Sequence, residues 1–207
     1  MAVLPLGDFP LLGWNGVLKR SLDVGLSAVG LALLLPALVG IGLLIRLGSP
    51  GPALYRQERV GRDGRRFQML KFRSMVVDAE AATGPTRTAR RDPRVTGIGR
   101  FLRRTSLDEL PQLWNVLAGE MSLVGPRPER PALISDLVEE IPDYVQRHRV
   151  KAGMTGYAQM QGLRGADTSM QERILCDLYY IEHWSLGLDL RIMLRTVLGI
   201  FREPNAY

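Results

Sequence analysis

The chain is short of cysteine, histidine and lysine, and each shortage narrows what it does. A single cysteine, Cys176, excludes an intramolecular disulfide, so nothing points to an oxidising compartment. The two histidines, His148 and His183, are weak candidates for a general base; a structural or surface role suits each better. No A-x-A cleavage site follows the apolar run near the N-terminus, and the stretch before Lys19 is apolar rather than basic, which argues against a cleaved signal peptide. There are no internal repeats and no low-complexity tract. Of 27 basic residues only Lys19, Lys71 and Lys151 are lysines. Arginine dominance suits planar, bidentate contact with phosphate, although base composition or thermal adaptation of the host produces the same bias. With a net charge of +6, the partners open to the chain are nucleic acid, anionic lipid or a phosphorylated substrate.

What is present is one long apolar run. From Leu22 to Ile45 the only charge is Asp23, and Pro36 stands near the middle. About 20 apolar residues suffice to cross a bilayer. Lys19 and Arg20 precede the run; Arg46, Arg56, Arg59 and Arg62 follow it. Basic residues mark the cytoplasmic end of a span, and here both flanks are basic. A helix that enters, breaks at Pro36 and leaves by the same face satisfies both flanks. A spanning helix with a proline kink is the main competitor, and a buried core helix a weaker one.

The remainder is one domain of ordinary length, so the expected division is 1–46 for an interfacial segment and re-entrant helix and 47–207 for a cytoplasmic catalytic domain. Ala53–Val60 and Arg66–Phe72 flank Gly61-Arg62-Asp63-Gly64 and read as a β-hairpin. Residues 77–94 contain Gly84-Pro85 and Asp92-Pro93 and read as a loop. Residues 100–119 are broadly helical, residues 133–149 helical with an interruption near Pro142, and Gly153–Gly165 a glycine-rich loop. Ser169–Trp184 and Leu186–Phe201 read as helices. The last carries Leu190, Met193, Leu194, Val197, Ile200 and Phe201 at helical spacing, with Arg191, Arg195 and Arg202 on one side. It suits either the headgroup boundary or packing on the core. The expected fold is α+β, mainly helical: a membrane re-entrant hairpin plus a small domain with a β-hairpin and interfacial amphipathic helices.

Two constellations carry chemistry. In Thr105–Asn115, Asp108 and Glu109 precede Pro111. Ser106 and Glu109 have capping-box spacing, which needs no chemistry at all. Pro111 disfavours helical geometry at Leu110 and makes that simple cap awkward. Adjacent carboxylates can instead bind a divalent cation while one serves as nucleophile or base, with Arg103 and Arg104 upstream to hold phosphate oxygens. The second constellation is Gly125-Pro126-Arg127-Pro128, where two prolines fix the backbone around an arginine suited to clamping phosphate. Lys71 and Arg73 add two cations at strand spacing, alternatively a charged edge strand.

Together these pieces resemble the bacterial sugar transferase family, the monotopic phosphoglycosyl transferases that act on polyprenyl phosphate. The matching strings are the apolar run, Gly48–Pro52, Arg56–Gly61, Lys71–Met75, Leu107–Asn115, Gly125–Pro128 and Gly153–Gly156. Gly162–Gly165, Tyr179–Ser185 and Asn205–Tyr207 resemble the exopolysaccharide branch, many of whose members move glucose or galactose 1-phosphate. The match is to the catalytic domain of longer members, whose additional N-terminal membrane region is not expected here. One departure is Leu35, where shorter relatives often carry serine before the proline.

The resemblance implies a two-step exchange at the bacterial inner membrane, with the catalytic domain facing the cytoplasm. Asp108 is the implied nucleophile toward a UDP-sugar, and polyprenyl (undecaprenyl) phosphate the acceptor. Mg²⁺ on Asp108 and Glu109 is the implied cofactor, with Glu109 alternatively a base. Lys71, Arg73, Arg104, Arg127 and, more weakly, Asp177 are the implied phosphate contacts. Nucleic acid is not an expected partner, and a homodimer is compatible with the sequence. The rival from another class is a membrane-anchored basic module that binds nucleic acid or anionic lipid without turnover.

Overall fold

A computed structural model describes residues 10–79, 84, 92–163 and 168–202, the last three without their side chains. Much of the expected 77–94 loop, residues 164–167 and the Asn205–Tyr207 string lie outside the described residues. Among the described residues the chain is mainly helical, with two small sheets of two strands each.

Helix α1, Trp14–Gly48, contains the whole apolar run and the boundary expected after residue 46. The helix continues through Pro36 rather than stopping there, so the expected break is not an interruption of the helix. Its burial is inverted relative to a soluble core helix. The buried residues are Lys19, Asp23, Ser27 and Ile45, while Val29, Leu33, Leu35, Val39, Leu43 and Leu44 are exposed. Apolar side chains facing outward along such a length suit a hydrocarbon surrounding. Contact with the rest of the protein comes in two stretches. In the first, Arg20 donates to the Val116 and Leu117 carbonyls at 2.6 and 2.8 Å, and Gly30 lies against Leu113. In the second, Leu38, Ile41 and Ile45 pack with Phe72 and Leu102.

Strands β1 (Leu54–Val60) and β2 (Arg66–Phe72) form the expected antiparallel hairpin, with Leu54 opposite Phe72 and Val60 opposite Arg66. Asp63 and Gly64 take positive φ at its tip, as a tight connection requires. The region expected to be broadly helical is divided: α2 (Gly97–Arg104), a 3₁₀ turn (Leu107–Glu109) and α3 (Gln112–Ala118). Next come β3 (Met121–Val124), α4 (Pro131–Glu140) and a 3₁₀ segment (Tyr144–Arg149), with the interruption near Pro142 as expected.

Gly153–Gly165 corrects the sequence reading. Its start is a strand, β4 (Ala152–Thr155), parallel to β3, followed by the short helix α5 (Tyr157–Met160). The glycines are needed for backbone approach: a Cβ at Gly153 would lie 2.2 Å from the Gly125 nitrogen, and one at Gly156 2.4 Å from the Gly125 oxygen. Phe67, Met69, Val116, Met121 and Ala152 form one core cluster, which fixes the hairpin against α3 and the parallel pair.

Helices α6 (Met170–Glu182, capped by Ser169) and α7 (Leu186–Arg202) close the domain. α7 packs on the core along one side only. Asp189 and Ile192 are buried, whereas Leu190, Leu194, Val197 and Leu198 are exposed near Arg191 and Arg195.

A buried ionic knot joins α1 to this closure. Lys19 Nζ donates to Asp189 Oδ2 at 2.7 Å and to the Val124 carbonyl at 3.0 Å. Asp189 also accepts from Tyr180 Oη at 2.8 Å and Trp184 Nε1 at 3.2 Å, and Asp23 accepts from the Leu123 amide at 3.0 Å. Removing one member of a buried pair leaves the other charge uncompensated. Lys19→Met leaves the buried Asp189 without a cation and should lower unfolding free energy by about 3–5 kcal/mol, measured by denaturation in detergent micelles. A loss below about 1 kcal/mol would mark the pair as solvated.

Candidate active site

The site begins with a backbone reversal. α2 ends at Arg104, and Ser106 takes a left-handed conformation, φ 55° and ψ 16°. A capping serine needs extended geometry, so the Ser106–Glu109 capping box that the spacing allows does not form. The single turn Leu107–Glu109 then carries both acids into the interior, where Asp108 and Glu109 are buried.

Glu109 is held by two cations from distant parts of the chain. Its Oε1 accepts from Lys71 Nζ at 2.9 Å, supplied by β2, and from Arg127 Nη2 at 2.6 Å, supplied by the loop after β3. Arg127 Nη1 meets Oε2 at 3.4 Å. Burial would raise this carboxyl, but the charges of Arg127 and Lys71 outweigh it and hold it well below the usual carboxylate range. Burial also pulls Lys71 down, against the attraction of Glu109. Asp108 is different: burial and then the neighbouring Glu109 charge push it up, opposed by Lys71, Arg103 and Arg127. Its Oδ1 is buried and has no hydrogen-bond partner.

Arg127 is aimed from outside as well as by its prolines. Arg147 Nη2 donates to the Arg127 carbonyl at 2.8 Å and to Asp177 Oδ2 at 2.6 Å. Arg59 Nη1 donates to the Pro128 carbonyl at 2.8 Å. Two arginines thus grip consecutive carbonyls of the loop. Burial lifts Asp177 to about 6, with Arg147 pulling the other way. The cavity beside this cluster has a volume of about 110 Å³; Glu109, Arg127, Asp177, Thr155 and Gln159 are among its lining residues.

The structure therefore gathers Lys71, Asp108, Glu109 and Arg127. It places two other expected contacts, Arg73 and Arg104, elsewhere, and the third, Asp177, on the cavity wall. Arg73 lies past the end of β2, and its guanidinium donates to the Ser49 and Pro50 carbonyls, which ties down the end of α1. Arg104 is exposed on the last turn of α2; Arg103 is the nearer charge to Asp108. Asp177 faces the cavity but is committed to Arg147, so its reach to a phosphate runs through that arginine. Arg147 and Arg59 were missed as loop holders, because a side chain reaching a distant carbonyl leaves no local pattern.

Among the described residues no cluster of three His, Cys, Asp or Glu gathers. Asp108 Oδ1 has no hydrogen-bond partner, and Glu109 Oε2 has a long one at 3.4 Å. Two carboxylates fit Mg²⁺, which fills its remaining positions with water and substrate phosphate.

Residues 14–203 match the model of the bacterial sugar transferase family. The chain belongs to that family. It is 48% identical over 208 residues to the UDP-glucose:undecaprenyl-phosphate glucose-1-phosphate transferase of Escherichia coli (strain K12), covering 99% of this chain and 45% of that protein. A Caulobacter vibrioides protein of the same name is 48% identical over 210 residues, covering 100% of this chain and 78% of the relative. The UDP-galactose-lipid carrier transferase of Erwinia amylovora is 42% identical over 204 residues, covering 92% and 42%. The chain thus spans about half the length of most of these relatives.

The Arg147–Asp177 pair sets a stability test. Arg147→Met or Asp177→Leu alone should cost about 3–5 kcal/mol by leaving one buried charge unpaired. The double variant should recover most of that loss in the same denaturation assay. Additive losses would mean that the two residues act separately.

Proposed function

We propose that this chain moves a sugar 1-phosphate from a UDP-sugar to polyprenyl (undecaprenyl) phosphate, releasing UMP, as a membrane step of exopolysaccharide or glycoconjugate assembly. Glucose is the favoured sugar and galactose the alternative, in keeping with the names of the relatives. The observation that carries the chemistry is Asp108 Oδ1: a buried, unpartnered carboxylate oxygen beside a glutamate already neutralised by two cations.

In the first step the Asp108 oxygen attacks the β-phosphorus of the donor. The bond from that phosphorus to the bridging oxygen breaks, and UMP leaves with the oxygen. In the second step an oxygen of polyprenyl phosphate attacks the same phosphorus and frees the Asp108 carboxylate. Each step brings anion toward anion. Lys71 and Arg127 are placed to turn from Glu109 toward phosphate oxygens, which lowers that repulsion. Glu109 then holds the cations in place between turnovers, or takes the acceptor's proton. Mg²⁺ bound by Asp108 and Glu109 would supply further charge neutralisation at the phosphates.

The two contact stretches of α1 support a membrane reading in which both ends stay on the cytoplasmic face. Lys19 and Ile45 both pack against the same domain. A straight helix of 35 residues is about 52 Å long, more than the roughly 30 Å hydrocarbon core. A spanning course would carry one end away from the domain that holds it. A bend at Pro36, with the apolar middle dipping into one leaflet, keeps both contacts.

Asp108→Asn should abolish UMP release and the covalent sugar-phosphate adduct that intact-mass measurement finds on the wild type with donor alone. An adduct on another residue, or full activity in the variant, would sink the nucleophile assignment. For topology, Asn15→Cys and Arg56→Cys in a Cys176→Ser background should both be labelled from the cytoplasmic side; both positions are exposed. Labelling of Asn15→Cys only from the opposite side would establish a spanning helix.

A further inference from the structure

Four residues after Asp108 the chain carries a second buried polar atom with no hydrogen-bond partner. Gln112 is 1% exposed, and its Nε2 has no hydrogen-bond partner. It sits three residues after Glu109 and three before Asn115, and both of those side chains reach β2. Glu109 accepts from Lys71 Nζ. Asn115 accepts from the Leu70 amide at 3.0 Å and donates to the Gln68 carbonyl at 2.8 Å. Residues three apart share a face of a helical segment. Gln112 therefore occupies the gap on the stripe between the Lys71–Glu109 pair and the Asn115 clamp.

The two unsatisfied groups are complementary. Asp108 Oδ1 is an acceptor without a donor; Gln112 Nε2 is a donor without an acceptor, four residues away along a tightly wound segment. They do not bond to each other. Leaving a buried donor unpaired costs free energy, and natural sites of this kind have a filler or a function. A phosphoryl group matches both halves of the gap, since it offers an electrophilic phosphorus to a carboxylate oxygen and acceptor oxygens to an amide N–H. Gln112 differs from Lys71 and Arg127 in being neutral. It can fix the orientation of a phosphoryl oxygen without competing for the Glu109 charge.

We propose that Gln112 Nε2 donates a hydrogen bond to a non-bridging oxygen of the phosphoryl group as it is transferred to Asp108. This rests on the nucleophile role assigned to Asp108 above. The bond is made as charge moves onto that oxygen and therefore acts on the rate of adduct formation more than on donor binding.

The test uses the full chain in detergent with Mg²⁺ and UDP-glucose, with adduct formation followed by intact mass and UMP release in a single turnover. Gln112→Met keeps the length and removes the donor. It should slow adduct formation about 100-fold, the scale of losing one transition-state donor, with a smaller change in KM. Its unfolding temperature should stay level or rise, because an unpaired buried donor has gone. Gln112→Glu keeps the size, sets a negative charge against the phosphoryl group and should be slower than Gln112→Met. Wild-type adduct rates in either variant would overturn the proposal. So would a lower unfolding temperature in Gln112→Met, because Nε2 would then be paired in the free protein. Asp108→Asn is run beside them. If it still releases UMP while Gln112→Met is slow, the nucleophile assignment fails and the Gln112 contact with phosphate stands. If it is inert while Gln112→Met is normal, the reverse holds.

Discussion

Glu109 is the constraint on which the site's geometry depends. A buried carboxylate is costly unless it is paired, and this one is paired twice. One cation comes from β2 and the other from the loop after β3, so a single side chain fastens three segments far apart in sequence. The same pairing divides the acids. Glu109 takes the cations and stays ionised, while Asp108, equally buried, keeps an open oxygen and a raised proton affinity. Two neighbouring residues of nearly identical chemistry thereby acquire different characters from their surroundings alone.

The loop that presents Arg127 owes its shape to more than its prolines. Arg147 and Arg59 hold the carbonyls of Arg127 and Pro128, while the guanidinium of Arg127 remains partly exposed. Fixing the backbone and leaving the head group accessible suits a side chain that exchanges partners. Arg147 is in turn held by Asp177 on α6, so the last third of the chain contributes through main-chain contacts.

Much of this was legible in the sequence, for reasons that vary by element. The hairpin declared itself through two strand-like runs around a glycine turn, and α6 through its periodicity. The acid pair and Arg127 stood out beside prolines. β3 and β4 were hidden, since four-residue parallel strands give no useful alternation and their glycines look like loop residues. The capping box had the right spacing but failed on a backbone angle at Ser106 that spacing does not encode. The reading of Lys71 and Arg73 as one face assumed that alternation continues, whereas β2 ends at Phe72. Burial inverted along α1 was also out of reach, because a composition rule does not say which residues of a helix find partners.

The way α1 is fastened has a practical consequence for handling the protein. Hydrophobic segments are commonly trimmed to make a membrane enzyme soluble, on the assumption that they are tethers. Here such trimming would strip Lys19 from Asp189, leave the C-terminal end of α3 without Arg20, and uncover Phe72 and Leu102 where Ile45 had lain. The shortened product would carry a buried anion with no cation and an opened core. Solubilisation is better sought by recoating the outward leucines of the helix, with amphipols or redesigned side chains, than by cutting it away.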